Sequence, residues 1–165
     1  MANTFLAALP ANMKAGSRDK KKLSGNSMIP DMLDGPIRVT SGKGFRKNPM
    51  RHKSDGSTGK LFSNHKGLDI GAAKGTKISF PMDAKVKRVR EDKGGYGKHV
   101  IFEVGDARVT IAHLDSISVQ EEQEIKAGTV VGTVGSTGNS QGPHSHIDVK
   151  VDGEYKDPRS FFKEN

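Results

Sequence analysis

KHVIFEVGDARVTIAH, residues 98–113, carries two apolar-rich runs around a central VGDAR. Lys98–Val104 and Arg108–His113 are rich in Val, Ile and Phe, which favour a pleated, half-buried surface. The VGDAR stretch (104–108) leaves room for a tight turn and nothing longer, so the two runs read as a hairpin. Strands this close, with no helix between them, imply an antiparallel sheet. The same pattern extends outward. GGYG (94–97) reads as a second hairpin turn, preceded by a strand over Ala84–Glu91 and another over Thr76–Phe80. Downstream, Val130–Val134 and Ser145–Val151 read as strands, and Ile37–Thr40 as an early one. SISVQEEQEI (116–125) fits either one helical turn or a loop with a short strand. The fold class is mainly β.

Composition agrees with this reading. The 165 residues fit one ordinary domain with a tail. Apolar residues make up 33% and aromatics 5%, a lean core, while 20 glycines favour turns over long helices. There is no cysteine, so disulfides and thiolate chemistry are excluded, and a metal site must use His, Asp or Glu. No run approaches the roughly 18 apolar residues of a spanning helix. The opening MANTFLAALPANMKAG lacks a basic leader, and Pro10 interrupts its apolar patch, so it makes a poor signal peptide.

Charge is uneven along the chain. Residues 1–60 hold 12 Lys/Arg against 4 Asp/Glu, and residues 61–165 hold 15 of each. The net +8 therefore belongs to the front. Residues 1–36 read as a basic arm or linker, with breakers at Gly25, Pro30, Gly35 and Pro36 and a possible short helix over Thr4–Leu9. SGKGFRKNPMRHKSDGSTGKLFSN (41–64) is a long basic loop. Such a front suits a polyanion; the competing reading is a solvated, solubilising face. A nucleic-acid-binding reading of residues 1–60 is weakened because aromatics do not interleave with the basic residues.

Three of the chain's histidine clusters carry chemistry. GPHSHID (142–148) puts His144 and His146 on alternate strand positions, hence on one face. NHKGLDI (64–70) puts His65 and Asp69 four apart around Gly67, able to grip one ion across a turn. In IAHLDS (111–116), His113 ends a strand and by parity shares a face with Val109 and Ile111. Each alone reads as ordinary surface or structural histidine. Together they supply three His/Asp ligands with an open position, as in a catalytic zinc site, and two further imidazoles to handle protons.

The ordered motifs resemble the lysostaphin/LytM-like zinc endopeptidases that cut peptidoglycan peptides. The resemblance runs from about Ile37 to Phe161, through GFR (44–46), HKGLDI (65–70), AAKGTKI (72–78), GGYGKHVIF (94–102), AHL (112–114) and KAGTVVGTVGSTGNSQGPHSHIDV (126–149) to DP (157–158). It implies a twisted antiparallel sheet with a substrate groove, and a zinc peptidase domain over residues 37–165. It implies one Zn2+ held by His65, Asp69 and His146, with His113 and His144 as the catalytic imidazoles. One would be general base and the other would hydrogen-bond the tetrahedral intermediate. The expected function is hydrolysis of peptide bonds in the stem peptides or cross-bridges of peptidoglycan; the alternative is an inactive wall-binding or structural relative. A phage virion or lysis component, or a protein acting at the wall, fits a chain without a convincing leader, its arm touching polyanions or other virion proteins. Departures are Ser145 between the two histidines, Ile147–Asp148 after them, Ile111 before the middle motif, and His99, read as a sheet-surface residue. NPMRHKSDGSTGK (48–60) is an insertion containing His52, read as solvated.

Overall fold

The computed structural model describes residues 27–47 and 62–163. The possible helix over residues 4–9, His52 and the insertion at 48–60 lie outside the described residues.

The described residues build twelve strands: β1 (Arg38–Ser41), β2 (Gly44–Lys47), β3 (Phe62–His65), β4 (Leu68–Gly71), β5 (Lys77–Phe80), β6 (Ala84–Glu91), β7 (Lys98–Val104), β8 (Ala107–Ile117), β9 (Glu124–Ile125), β10 (Thr129–Val134), β11 (His144–Val151) and β12 (Glu154–Lys156). The main sheet is antiparallel, in the order β1-β4-β11-β8-β7-β6-β9. β10 pairs with β5 and with the far half of β8, β12 pairs with β11, and β2 with β3 forms a separate ribbon. The expected hairpin of β7 and β8 is present, its turn closed by Gly105 at φ 57°. Residues 118–123 form no helical turn; a loop leads into the two-residue β9.

The core gathers Ile70, Ile78, Phe80, Val86, Val100, Phe102, Val109, Ile111, Ile147 and Val149 from the inner faces of the strands. Phe80 stacks on Phe102 with ring centroids 4.3 Å apart, and Phe162 meets Phe80 edge-on at 6.0 Å. Each such side chain contributes about 1.5–3 kcal/mol by leaving water.

Ile29, Met32 and Leu33, which composition groups with the arm, belong to this core. A 3₁₀ turn over Ile29–Met32 buries Ile29, Pro30 and Met32, and Leu33 follows them inward. Ser27 bridges to Lys163 and Leu33 to Ile78. The Gly/Pro breakers permit a tight wrap, and the apolar residues between them drive it. His99 also departs from expectation: it is 5% exposed, with Nδ1 donating to the Gly97 carbonyl at 2.9 Å.

Candidate active site

β4 and β11 bring the first cluster together. In their register His146 lies opposite Asp69, so the two side chains share a face. β3 ends at His65, and the two-residue turn Lys66–Gly67 leads into β4. That turn presses against β11. A Cβ on Gly67 would collide with the Ile147 carbonyl and come within 2.9 Å of the His146 ring, so only glycine fits without displacement.

His65 Nε2, Asp69 Oδ1 and His146 Nδ1 converge within 4.8 Å of one another. Their pairwise separations are 3.1 Å for His65–Asp69, 3.1 Å for His65–His146 and 2.7 Å for His146–Asp69. Ligands of a tetrahedral Zn2+ at about 2.0–2.1 Å stand roughly 3.3 Å apart, so these three atoms need move only a few tenths of an ångström. His65 Nδ1 donates to the Gly42 carbonyl at 2.8 Å, which leaves Nε2 as the lone-pair atom. The residues therefore fit a metal ion.

A strand irregularity delivers the third histidine. Parity puts His113 with Val109 and Ile111, whose side chains lie in the core. Instead His113 has φ 63°, in the left-handed region. Lys98 pairs with Leu114 and Val100 with Ile111, so β8 carries one extra residue there. This bulge turns His113 out of the core and returns Leu114 to it. The His113 ring now lies 4.7 Å from His144 and 6.1 Å from His146, centroid to centroid. All five residues singled out in the sequence thus meet in one place.

The glycine-rich loop 135–143 braces both outer histidines. His113 Nδ1 donates to the Thr137 carbonyl at 2.9 Å. His144 Nδ1 lies 2.8 Å from the Gly142 carbonyl and 3.1 Å from Ser140 Oγ. Its Nε2 points inward, 4.0 Å from Asp69 Oδ1. The loop is seated by Thr137, whose hydroxyl accepts from the Lys98 amide at 3.0 Å and donates to the Leu114 carbonyl at 2.8 Å.

The charges at the site oppose desolvation. Burial alone drives the Asp69 carboxyl upward, but bonds from His146 and His65 outweigh it and hold it well below the usual carboxylate range. Burial disfavours charge on His146 as well, yet Asp148 and Asp69 hold its pKa up at about 9. Burial dominates at His113 and pushes it down to about 4. Asp148 is held low despite burial by His146 and Tyr96.

Sequence reasoning missed two participants. Asp148 continues the His144–His146 alternation and lies 3.5 Å from His146 Nε2, so its position was readable although it figured only as a departure. Tyr96 sits in a turn, where no periodicity marks it. Its hydroxyl donates to Asp148 Oδ2 at 2.6 Å and its ring stacks on His146, centroids 5.6 Å apart.

The chain belongs to peptidase family M23, whose family model matches residues 63–158. It is 36% identical over 124 residues to the DD-carboxypeptidase/endopeptidase Mpg of Neisseria meningitidis, covering 74% of this chain and 26% of that protein. It is 34% identical over 98 residues to the murein hydrolase activator NlpD of Escherichia coli, covering 59% of this chain and 26% of that one. This chain thus spans about a quarter of the length of these relatives. The catalytic domain of the antimicrobial peptidase lysostaphin from Staphylococcus simulans superposes with TM-score 0.64 at 25% identity, over 78% of this chain and 93% of that one. The twisted antiparallel sheet expected from the motifs is therefore the fold of a lysostaphin-like M23 domain.

Proposed function

We propose that this protein is a zinc-dependent endopeptidase that hydrolyses peptide bonds in bacterial peptidoglycan. The observation that carries the proposal is the convergence of His65 Nε2, Asp69 Oδ1 and His146 Nδ1, with two further imidazoles beside them. Two nitrogens and one carboxylate oxygen suit Zn2+ in a hydrolytic site. Bound there, Zn2+ would act as a Lewis acid and make water a nucleophile near neutral pH.

The chain's own groups handle the protons. His113, kept neutral by burial and pinned through Nδ1, offers Nε2 as an acceptor for the proton of the attacking water. His144, braced by the Gly142 carbonyl, turns Nε2 toward the centre, where it would hydrogen-bond the tetrahedral oxyanion. Asp69 and Asp148 hold His146 in one orientation.

Mpg is named as a carboxypeptidase/endopeptidase, which supports a wall-peptide substrate. NlpD is named as an activator, which supports a second reading: a non-cutting member that works through a partner. Retention of all five residues favours the enzyme. The basic front of the chain would hold it to wall polyanions or to other virion proteins, in a phage particle or at the wall. Incubation with purified peptidoglycan, and mass analysis of released fragments, tests the proposal. Release of new amino termini, abolished by a chelator and restored by Zn2+, is the expected result; intact peptidoglycan with a zinc-loaded protein refutes it. His146→Ala and Asp69→Ala are expected to lose Zn2+ in elemental analysis, and full zinc in either variant removes that residue from the ligand set.

A further inference from the structure

We infer that Tyr96 is a positioning residue for the metal ligand His146, acting through Asp148, and that it ties this ligand to the His113 bulge. The inference rests on the ligand assignment above.

Three contacts made by one residue carry it. The Tyr96 hydroxyl donates to Asp148 Oδ2 at 2.6 Å, a short, charge-assisted bond. The same carboxylate oxygen lies 3.5 Å from His146 Nε2, the nitrogen that faces away from Asp69 and His65. The Tyr96 ring stacks on the His146 ring, 25° from parallel. Meanwhile its backbone carbonyl accepts the amide of His113 at 2.9 Å.

Asp148 is a short carboxylate in a buried place, 3% exposed. Thr110, opposite it in register, also donates to it. A buried carboxylate aims at one partner only if its remaining lone pairs are satisfied. The tyrosine hydroxyl supplies that satisfaction and fixes which way Oδ2 points. Oδ2 then faces His146 Nε2 at 3.5 Å, which favours the tautomer with the proton on Nε2 and leaves the Nδ1 lone pair for a metal. The backbone around Tyr96 is seated with comparable care. Gly97 and Gly138 approach so closely that a Cβ on either would collide with the other's loop. The Asn139 amide donates to the Gly95 carbonyl at 2.9 Å.

The test is a double-mutant cycle on zinc affinity, measured by competition with a chromophoric chelator on the full chain. Removing such an outer partner typically costs 10–100-fold in metal affinity. Y96F and D148N should each weaken the Zn2+ Kd by about tenfold, and Y96F/D148N should be no weaker than the worse single variant, because the two act in series. The His146 Nε2–H proton resonance should also move in Y96F. An unchanged Kd in Y96F, which keeps the ring and is the least disruptive change, overturns the inference. So does a double variant that shows the product of the two single losses. A wild-type chain that binds no Zn2+ overturns the ligand assignment as well, whereas tight wild-type binding with an unaffected Y96F overturns only the role of Tyr96.

Discussion

His113 pays a backbone cost to be where it is. A non-glycine residue at positive φ is disfavoured by roughly 1–2 kcal/mol, and here the return is a side chain turned from core to site. Burial keeps it uncharged. In an unfolded chain the imidazole titrates near pH 6.5; in the fold it titrates at about 4. Below pH 6.5 the unfolded state therefore takes up the proton first, and this residue's contribution falls as pH drops from about 6.5 to about 4. An NMR titration should find His113 neutral at pH 6, and a midpoint above 6 would contradict the burial argument. His113→Ala is expected to retain Zn2+ and lose about 10²–10⁴-fold in peptidoglycan cleavage rate; a fragment-release assay at saturating metal checks it.

At the level of elements, β11 is the organising strand. Its even positions, His144, His146 and Asp148, face the site, and its odd positions, Ile147 and Val149, face the core. Ser145 follows the core-facing parity and is fully buried, and its hydroxyl has no hydrogen-bond partner. An unsatisfied buried hydroxyl costs about 1–3 kcal/mol. Ser145→Ala is therefore expected to raise stability by about 1 kcal/mol, read as a higher denaturant midpoint at unchanged slope; a lower midpoint would mean the hydroxyl finds a partner. The turn between β3 and β4 predicts the opposite sign. Gly67→Ala should cost about 1–3 kcal/mol, because the new methyl meets backbone.

The same elements show what could be read in advance. Runs rich in Val, Ile and Phe, bounded by turn signals, made β6, β7, β8 and β11 legible, and the His-x-His spacing gave a shared face directly. β4 escaped notice because LDIG is short and buried at its first three positions, so nothing alternates. The His113 bulge escaped because parity assumes an unbroken pleat. Tyr96 escaped because a turn residue acquires its role only through strands far away in sequence.

Across the whole molecule, the site needs β3, β4, β8 and β11 in register at once, since the proposed ligands come from two regions separated by 81 residues. No such cluster exists in an unfolded chain, so a metal bound at the proposed site would add its binding free energy to that of folding. Zn2+ at 100 times its Kd should add about 2.7 kcal/mol. Calorimetry of metal-free and zinc-loaded protein checks this; a melting temperature indifferent to Zn2+ concentration would contradict it. Among the described residues no helix is long and apolar enough to cross a membrane.

The pairing of Asp69 with His146 also has a kinetic reading. An ion gripped from both strands rivets β4 to β11, and it cannot leave intact coordination without that seam parting or one ligand swinging away. The rate at which a strong chelator strips the protein should then level off as chelator concentration rises, and the plateau would clock the spontaneous unzipping of these two strands.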